Sequence, residues 1–92
     1  MRKPGKSKFD LAVINLVKEI REKNELSQDD LAEFLDTTRG YIGQVESPNT
    51  RAKYNLNHLN KLALEMKCSP KDFIPKEPFL EQIKSGRKKQ KK

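Results

Sequence analysis

The sequence predicts an all-α fold on three observations. Apolar residues recur at three- and four-residue intervals in each periodic stretch, which is the helical period. A residue able to cap a helix (Ser7, Ser27, Thr38, Asn55 or Ser69) precedes each stretch. A composition with 34% hydrophobic and 36% charged residues suits a small helical domain with polar tails. Ninety-two residues hold one such domain with a modest core.

The elements follow in order. Ser7 caps a first helix with Asp10 at its third position, and Phe9, Val13, Leu16, Val17 and Ile20 form an apolar stripe that Leu11 and Ile14 widen. This helix ends near Lys23-Asn24, with Asn24 as the stop. From Leu26 to Glu46 the chain reads LSQDDLAEFLDTTRGYIGQVE. Ser27, with Asp30 three residues on, is a capping-box pair, and Leu31, Ala32 and Leu35 repeat at helical spacing behind it. Asp36-Thr37 interrupts the pattern, Thr38 caps again, and Ile42 and Val45 give the next helix a narrow apolar stripe. At about nine residues it is roughly 13 Å long, a rod that fits a major groove about 12 Å wide. A helix this short does not stand alone, so the one before it must hold it.

Pro48 drives Ser47 out of helical geometry, and SPNTRAKYN is a loop. Asn55 caps a fourth helix in which Leu56, Leu59, Leu62, Ala63 and Met66 face inward. His58 falls off that stripe and reads as a surface side chain. Cys68 reads as a small buried hydrophobe. Ser69-Pro70 opens a short fifth helix, with Phe73 and Ile74 returning to the core, and Pro75 and Pro78 end the compact part. The chain thus divides into a basic arm at 1–8, a helical domain at 9–76, and a segment at 77–92. In that last segment Phe79, Leu80 and Ile83 form an apolar stripe ahead of a basic tail. The stripe either docks on the domain or forms a dimer seam.

The net charge of +7 is unevenly spread. Residues 1–8 hold four basic groups and 84–92 hold six, with no acid in either. Taking these ten from the twenty Lys and Arg leaves ten against thirteen acids, so residues 9–83 carry −3. Within them, 9–36 hold eight acids and three bases, whereas 38–76 hold three acids and seven bases. The second half is the positive one, as in a protein that presents one side to a polyanion.

LSQDDLAEFLDTTRGYIGQVE resembles the helix-turn-helix of the phage repressor/Cro type, the xenobiotic-response-element family. The matching features are Gln28 opening the first helix, Leu31-Ala32 within it and Leu35 before the turn. Ile42, Val45 and Glu46 match in the second. The resemblance extends from Phe9 to Ile74 and implies a compact five-helix, lambda-repressor-like bundle. Where the family usually has Gly in the turn, this chain has Asp36, a residue that tolerates the left-handed conformation. The resemblance also implies that Arg21 pairs with Glu46, fastening the first helix to the third through a bidentate contact. It implies further that the loop after the third helix lies along a DNA backbone, making Arg51, Lys53 and Tyr54 phosphate contacts. Family members commonly bind as dimers, so a homodimer is expected as an option.

With Ile42 and Val45 inward, steps of about 100° turn Gly40, Gly43, Gln44 and Ser47 outward, with Arg39 at the leading edge. Gln44 suits a bidentate contact with adenine and Arg39 one with guanine. Thr38 meets a thymine methyl or caps the helix. Two glycines on one helix face, each costing about 1 kcal/mol relative to alanine, let the axis approach the base edges closely. Gln28 at a helix amino end is placed to donate to a phosphate. Tyr41 either reaches a phosphate or packs on the preceding helix.

The function expected is a sequence-specific double-stranded DNA-binding transcriptional regulator. A protein-interaction module of the antitoxin or adaptor kind on the same fold is the alternative. One His, one Cys, and neither a Gly-rich phosphate loop nor a nucleophile elbow give catalysis no foothold, and no metal set or cofactor motif is expected. No apolar run approaches the roughly 18 residues of a membrane span, and the basic start lacks the apolar core of a signal peptide. A lone Cys68 makes no internal disulfide, which fits the cytoplasm.

Overall fold

A computed structural model describes residues 5–81. They form four α-helices, α1 (Lys8–Lys23), α2 (Gln28–Leu35), α3 (Arg39–Glu46) and α4 (Leu56–Met66), followed by a single 3₁₀ turn at Pro70–Phe73. No strand occurs among the described residues. The expected fifth helix is only this turn. Pro70 starts it, but Pro75 holds Ile74 in extended geometry (φ −109°, ψ 127°), so no α-helical turn fits between the two prolines.

The caps arise from local chemistry. Ser7 and Ser27 each accept from the amide three residues on, while Asp10 and Asp30 return the bond to the cap amide. Thr38 Oγ1 accepts from the Tyr41 amide. Asn55 forms the same reciprocal box with His58, whose Nδ1 accepts from the Asn55 amide at 3.2 Å. His58 is therefore a structural member of α4, set edge-on to the rings of Tyr41 and Tyr54, rather than a plain surface side chain.

Three helices end on non-glycine residues in the left-handed region: Glu25, Asp36 and Lys67, at φ 58°, 57° and 54°. After each, the chain bonds back to the helix, Leu26 to Arg21, Thr37 to Ala32 and Cys68 to Ala63, the Schellman arrangement. Asp36 fills the turn where the family usually has glycine. Asn24 is the C-cap of α1, as expected, and Glu25 supplies the left-handed turn after it.

The core gathers Val13 and Val17 of α1, Leu31 and Ala32 of α2, Ile42 of α3, Leu59, Leu62, Ala63 and Met66 of α4, and Phe73. Ile14 is buried too, which turns the inward face of α1 toward Val13, Ile14, Val17 and Arg21. Leu56, at the first position of α4, stays 79% exposed, and packing begins one turn later at Leu59. Helix α3 lies chiefly against α2 and touches α1, and the 3₁₀ turn bridges α1 and α4.

Beyond Pro75 the chain returns to the start of α1. The Phe79 ring meets Phe9 edge to face, centroids 6.0 Å apart, and the Glu81 carboxylate accepts from the amides of Lys8 and Phe9 at 3.2 and 3.0 Å. A carboxylate suits the positive end of a helix. Of the expected apolar stripe, Phe79 is thus docked on the domain, Leu80 remains 90% exposed, and Ile83 lies outside the described residues, as does the tail at 84–92.

Candidate nucleic-acid interface

Helix α3 has two opposite faces. Ile42 and Val45 are fully buried; Thr38, Arg39, Gly40 and Gln44 are exposed, and Gly43 is half-buried. A Cβ on Gly40 would meet nothing closer than Thr38 Oγ1 at 3.9 Å, and one on Gly43 nothing closer than Gln28 Oε1 at 3.6 Å. Nothing inside the protein therefore requires glycine at either position.

The angle of α3 is set by a polar cluster behind it. Arg21 donates Nε to Glu46 Oε2 at 2.9 Å and Nη2 to Oε1 at 3.0 Å, while Nη1 reaches the Leu26 carbonyl at 2.9 Å. Their side chains are 10% and 5% exposed. Gln28 Nε2 joins by donating to Glu46 Oε1 at 2.9 Å. Gln28, expected as a phosphate donor, thus spends one of its two amide hydrogens on the protein's own carboxylate, and the other remains a donor.

The loop from Ser47 to Tyr54 places the other expected phosphate contacts differently from one another. Arg51 is exposed, its stem passing beside Gly5. The Lys53 ammonium sits on Asp10 Oδ2 at 2.9 Å. The Tyr41 hydroxyl donates to the Lys53 carbonyl at 2.8 Å, so it fastens the loop to α3 and has no proton left to give a phosphate. Burial raises its pKa. Tyr54 is corrected outright: it turns inward against the core, its hydroxyl buried with no hydrogen-bond partner among the described residues. Burial, aided by the Glu46 charge and opposed by Arg21, pushes that phenol far above its usual pKa. A ring packed under the loop is as consistent with the sequence as one lying along it, and only the fold decides.

Asp10 has opposing influences. Burial pushes its carboxyl up, but the Ser7 amide and hydroxyl and the Lys53 ammonium outweigh this, and its pKa falls below the ordinary value. Sequence reasoning missed Lys6. Its ammonium lies within bonding distance of the carbonyls of Gln44 (3.1 Å), Val45 (2.9 Å) and Ser47, and of Thr50 Oγ1 (3.2 Å). No local pattern announces a partnership across 38 residues.

A family profile described as helix-turn-helix matches residues 17–73, well over half of the chain. The chain belongs to the Cro/C1-type helix-turn-helix family of DNA-binding regulators. Among solved structures it is similar to the restriction-modification controller protein C.AhdI from Aeromonas hydrophila. That likeness has a TM-score of 0.59 at 29% identity, covering 71% of this chain and 93% of that one. No curated protein matches. In family terms α2 and α3 are the helix-turn-helix, with α3 in the recognition position. No helix among the described residues is long and apolar enough to cross a membrane, and no group of three or more His, Cys, Asp or Glu is placed to hold a metal among them.

Proposed function

We propose that this protein is a sequence-specific transcriptional regulator that lays α3 in the major groove of duplex DNA. The observation that carries the reading is the exposed face of α3. Arg39 and Gln44 project from it, and glycines lie between them where the protein has room for side chains. Arg39 reads guanine, Gln44 reads adenine, and Gly40 and Gly43 let the helix approach closely. Thr38 caps α3, and its methyl is free for a thymine. Arg51, Arg2, Lys3 and the basic tail at 84–92 hold phosphates, and Lys53 exchanges Asp10 for one. The likeness to a restriction-modification controller supports a regulatory role.

Selection from random duplex DNA tests this. The wild type should enrich one motif, and Gln44→Ala and Arg39→Ala should each relax preference at a single, different position by about 1–3 kcal/mol. A uniform loss of affinity for all sequences in both variants would exclude base reading by α3. A palindromic motif would indicate a homodimer. A second reading, a module that holds a protein partner, draws on Leu56, Leu64 and Leu80, which are 79%, 69% and 90% exposed. It predicts a stoichiometric partner and no enriched motif.

A further inference from the structure

Helix α3 ends unlike its neighbours. The carboxyl end of an α-helix leaves carbonyls without intrahelical donors, and α1, α2 and α4 satisfy theirs with their own backbone through a left-handed residue. Helix α3 has no such residue. Pro48 follows Ser47, which is held extended at φ −85°, ψ 128°, so the chain leaves without folding back. No basic residue lies in its last turn. The missing donors come from elsewhere. The Lys6 ammonium serves the Gln44, Val45 and Ser47 carbonyls, and the Thr50 hydroxyl donates to the Gln44 carbonyl and also lies beside Lys6.

We propose that Lys6 is a positioning residue for DNA reading, its ammonium fixing the carboxyl end of α3 and with it the direction in which Gln44 points. The inference rests on the DNA-reading function proposed above. A cation at this end also complements the helix dipole. Gln44 is the residue most directly affected, because its own carbonyl takes bonds from both Lys6 and Thr50 while its amide side chain faces outward. Asp10 and Lys53 lie close enough to act on the Lys6 charge, with burial the larger influence and lowering its pKa. The ammonium is engaged by acceptors of its own chain, the carbonyls of Gln44, Val45 and Ser47 and the Thr50 hydroxyl.

The test separates positioning from charge. Lys6→Met keeps the aliphatic stem and removes the tether. Thr50→Val removes a bond to the same carbonyl with no change of charge, and remains informative if Lys6→Met folds poorly. Lys8→Met removes an equal charge two residues away. Affinities for the selected site and for a scrambled duplex are measured across salt concentrations, together with amide exchange of the free protein. Lys6→Met and Thr50→Val should both lower the ratio of specific to non-specific affinity, by roughly five-fold or more against the worth of a full bidentate base contact. Lys8→Met should leave it intact. The Ser47 amide, which donates to the Gln44 carbonyl at 3.2 Å, should exchange faster in Lys6→Met.

A salt slope lower by about 0.9 in Lys6→Met with the ratio unchanged would make Lys6 an ordinary phosphate contact and overturn the proposal. Unchanged Ser47 exchange would overturn the tether whatever DNA does. A wild type that discriminates, with both variants discriminating equally well, overturns the positioning role alone. A wild type that discriminates nothing overturns the DNA-reading function, and the positioning role falls with it.

Discussion

Removing the Arg21 guanidinium would strand Glu46, a carboxylate only 5% exposed, with a single amide hydrogen from Gln28 to hold it. Loss of one member of a buried pair costs about 3–5 kcal/mol, so urea unfolding of Arg21→Ala should show a loss of that order. Arg21→Met combined with Glu46→Leu should recover most of it, because the cost lies in the unpaired charge. Asp10 supplies a pH dependence. Its folded-state pKa lies below the ordinary value because the Ser7 amide and hydroxyl and Lys53 outweigh burial. Its stabilisation is therefore present above the unfolded pKa and is lost as pH falls through the lower folded one. Thermal melts between about pH 5 and pH 3 should fall less steeply for Asp10→Asn than for the wild type.

The helix caps were legible because a cap is a local event. Ser7-Asp10 and Ser27-Asp30 lie three residues apart, and the helices start where those pairs predict. Arg21 and Glu46 were legible for a different reason, through resemblance to a family. Contacts between distant segments left no such trace. The inward turn of Tyr54, the Gln28 bond to Glu46 and the reach of Lys6 to α3 depend on how helices stack, which spacing alone does not encode. The fifth helix was read from its Ser-Pro start, while the effect of Pro75 on Ile74 shortened it to one 3₁₀ turn. Helix α3 provides its own experiment at this scale. Gly43→Ala should raise stability by about 1 kcal/mol, and Gly40→Ala by less, since it sits in the first turn. Both should weaken specific DNA binding. Denaturant titration and DNA titration of the same two variants check the opposite signs, and glycines that could be replaced without loss of binding would not be there for the groove.

Across the whole molecule, charge is divided between a body and its termini. Removing 84–92 takes away six cations and should reduce the salt slope of DNA binding by up to about 5, at 0.9 per phosphate neutralised. The selected motif should stay the same, because phosphate contacts carry no sequence information. Titrations at several salt concentrations measure the first and repeated selection the second, and an altered motif would give the tail a reading role. The docking of Phe79 and Glu81 on the start of α1 has a separate outcome. It brings residue 81 beside residue 8, so a short linker from 81 back to residue 6 would close the helical body into a ring that can be reopened at the exposed Asn24-Glu25 corner. Such a circular permutant would keep Lys6 and the Ser7 cap but shed Arg2, Lys3 and the basic tail, and whatever duplex it still recognised would be recognised without the basic extensions.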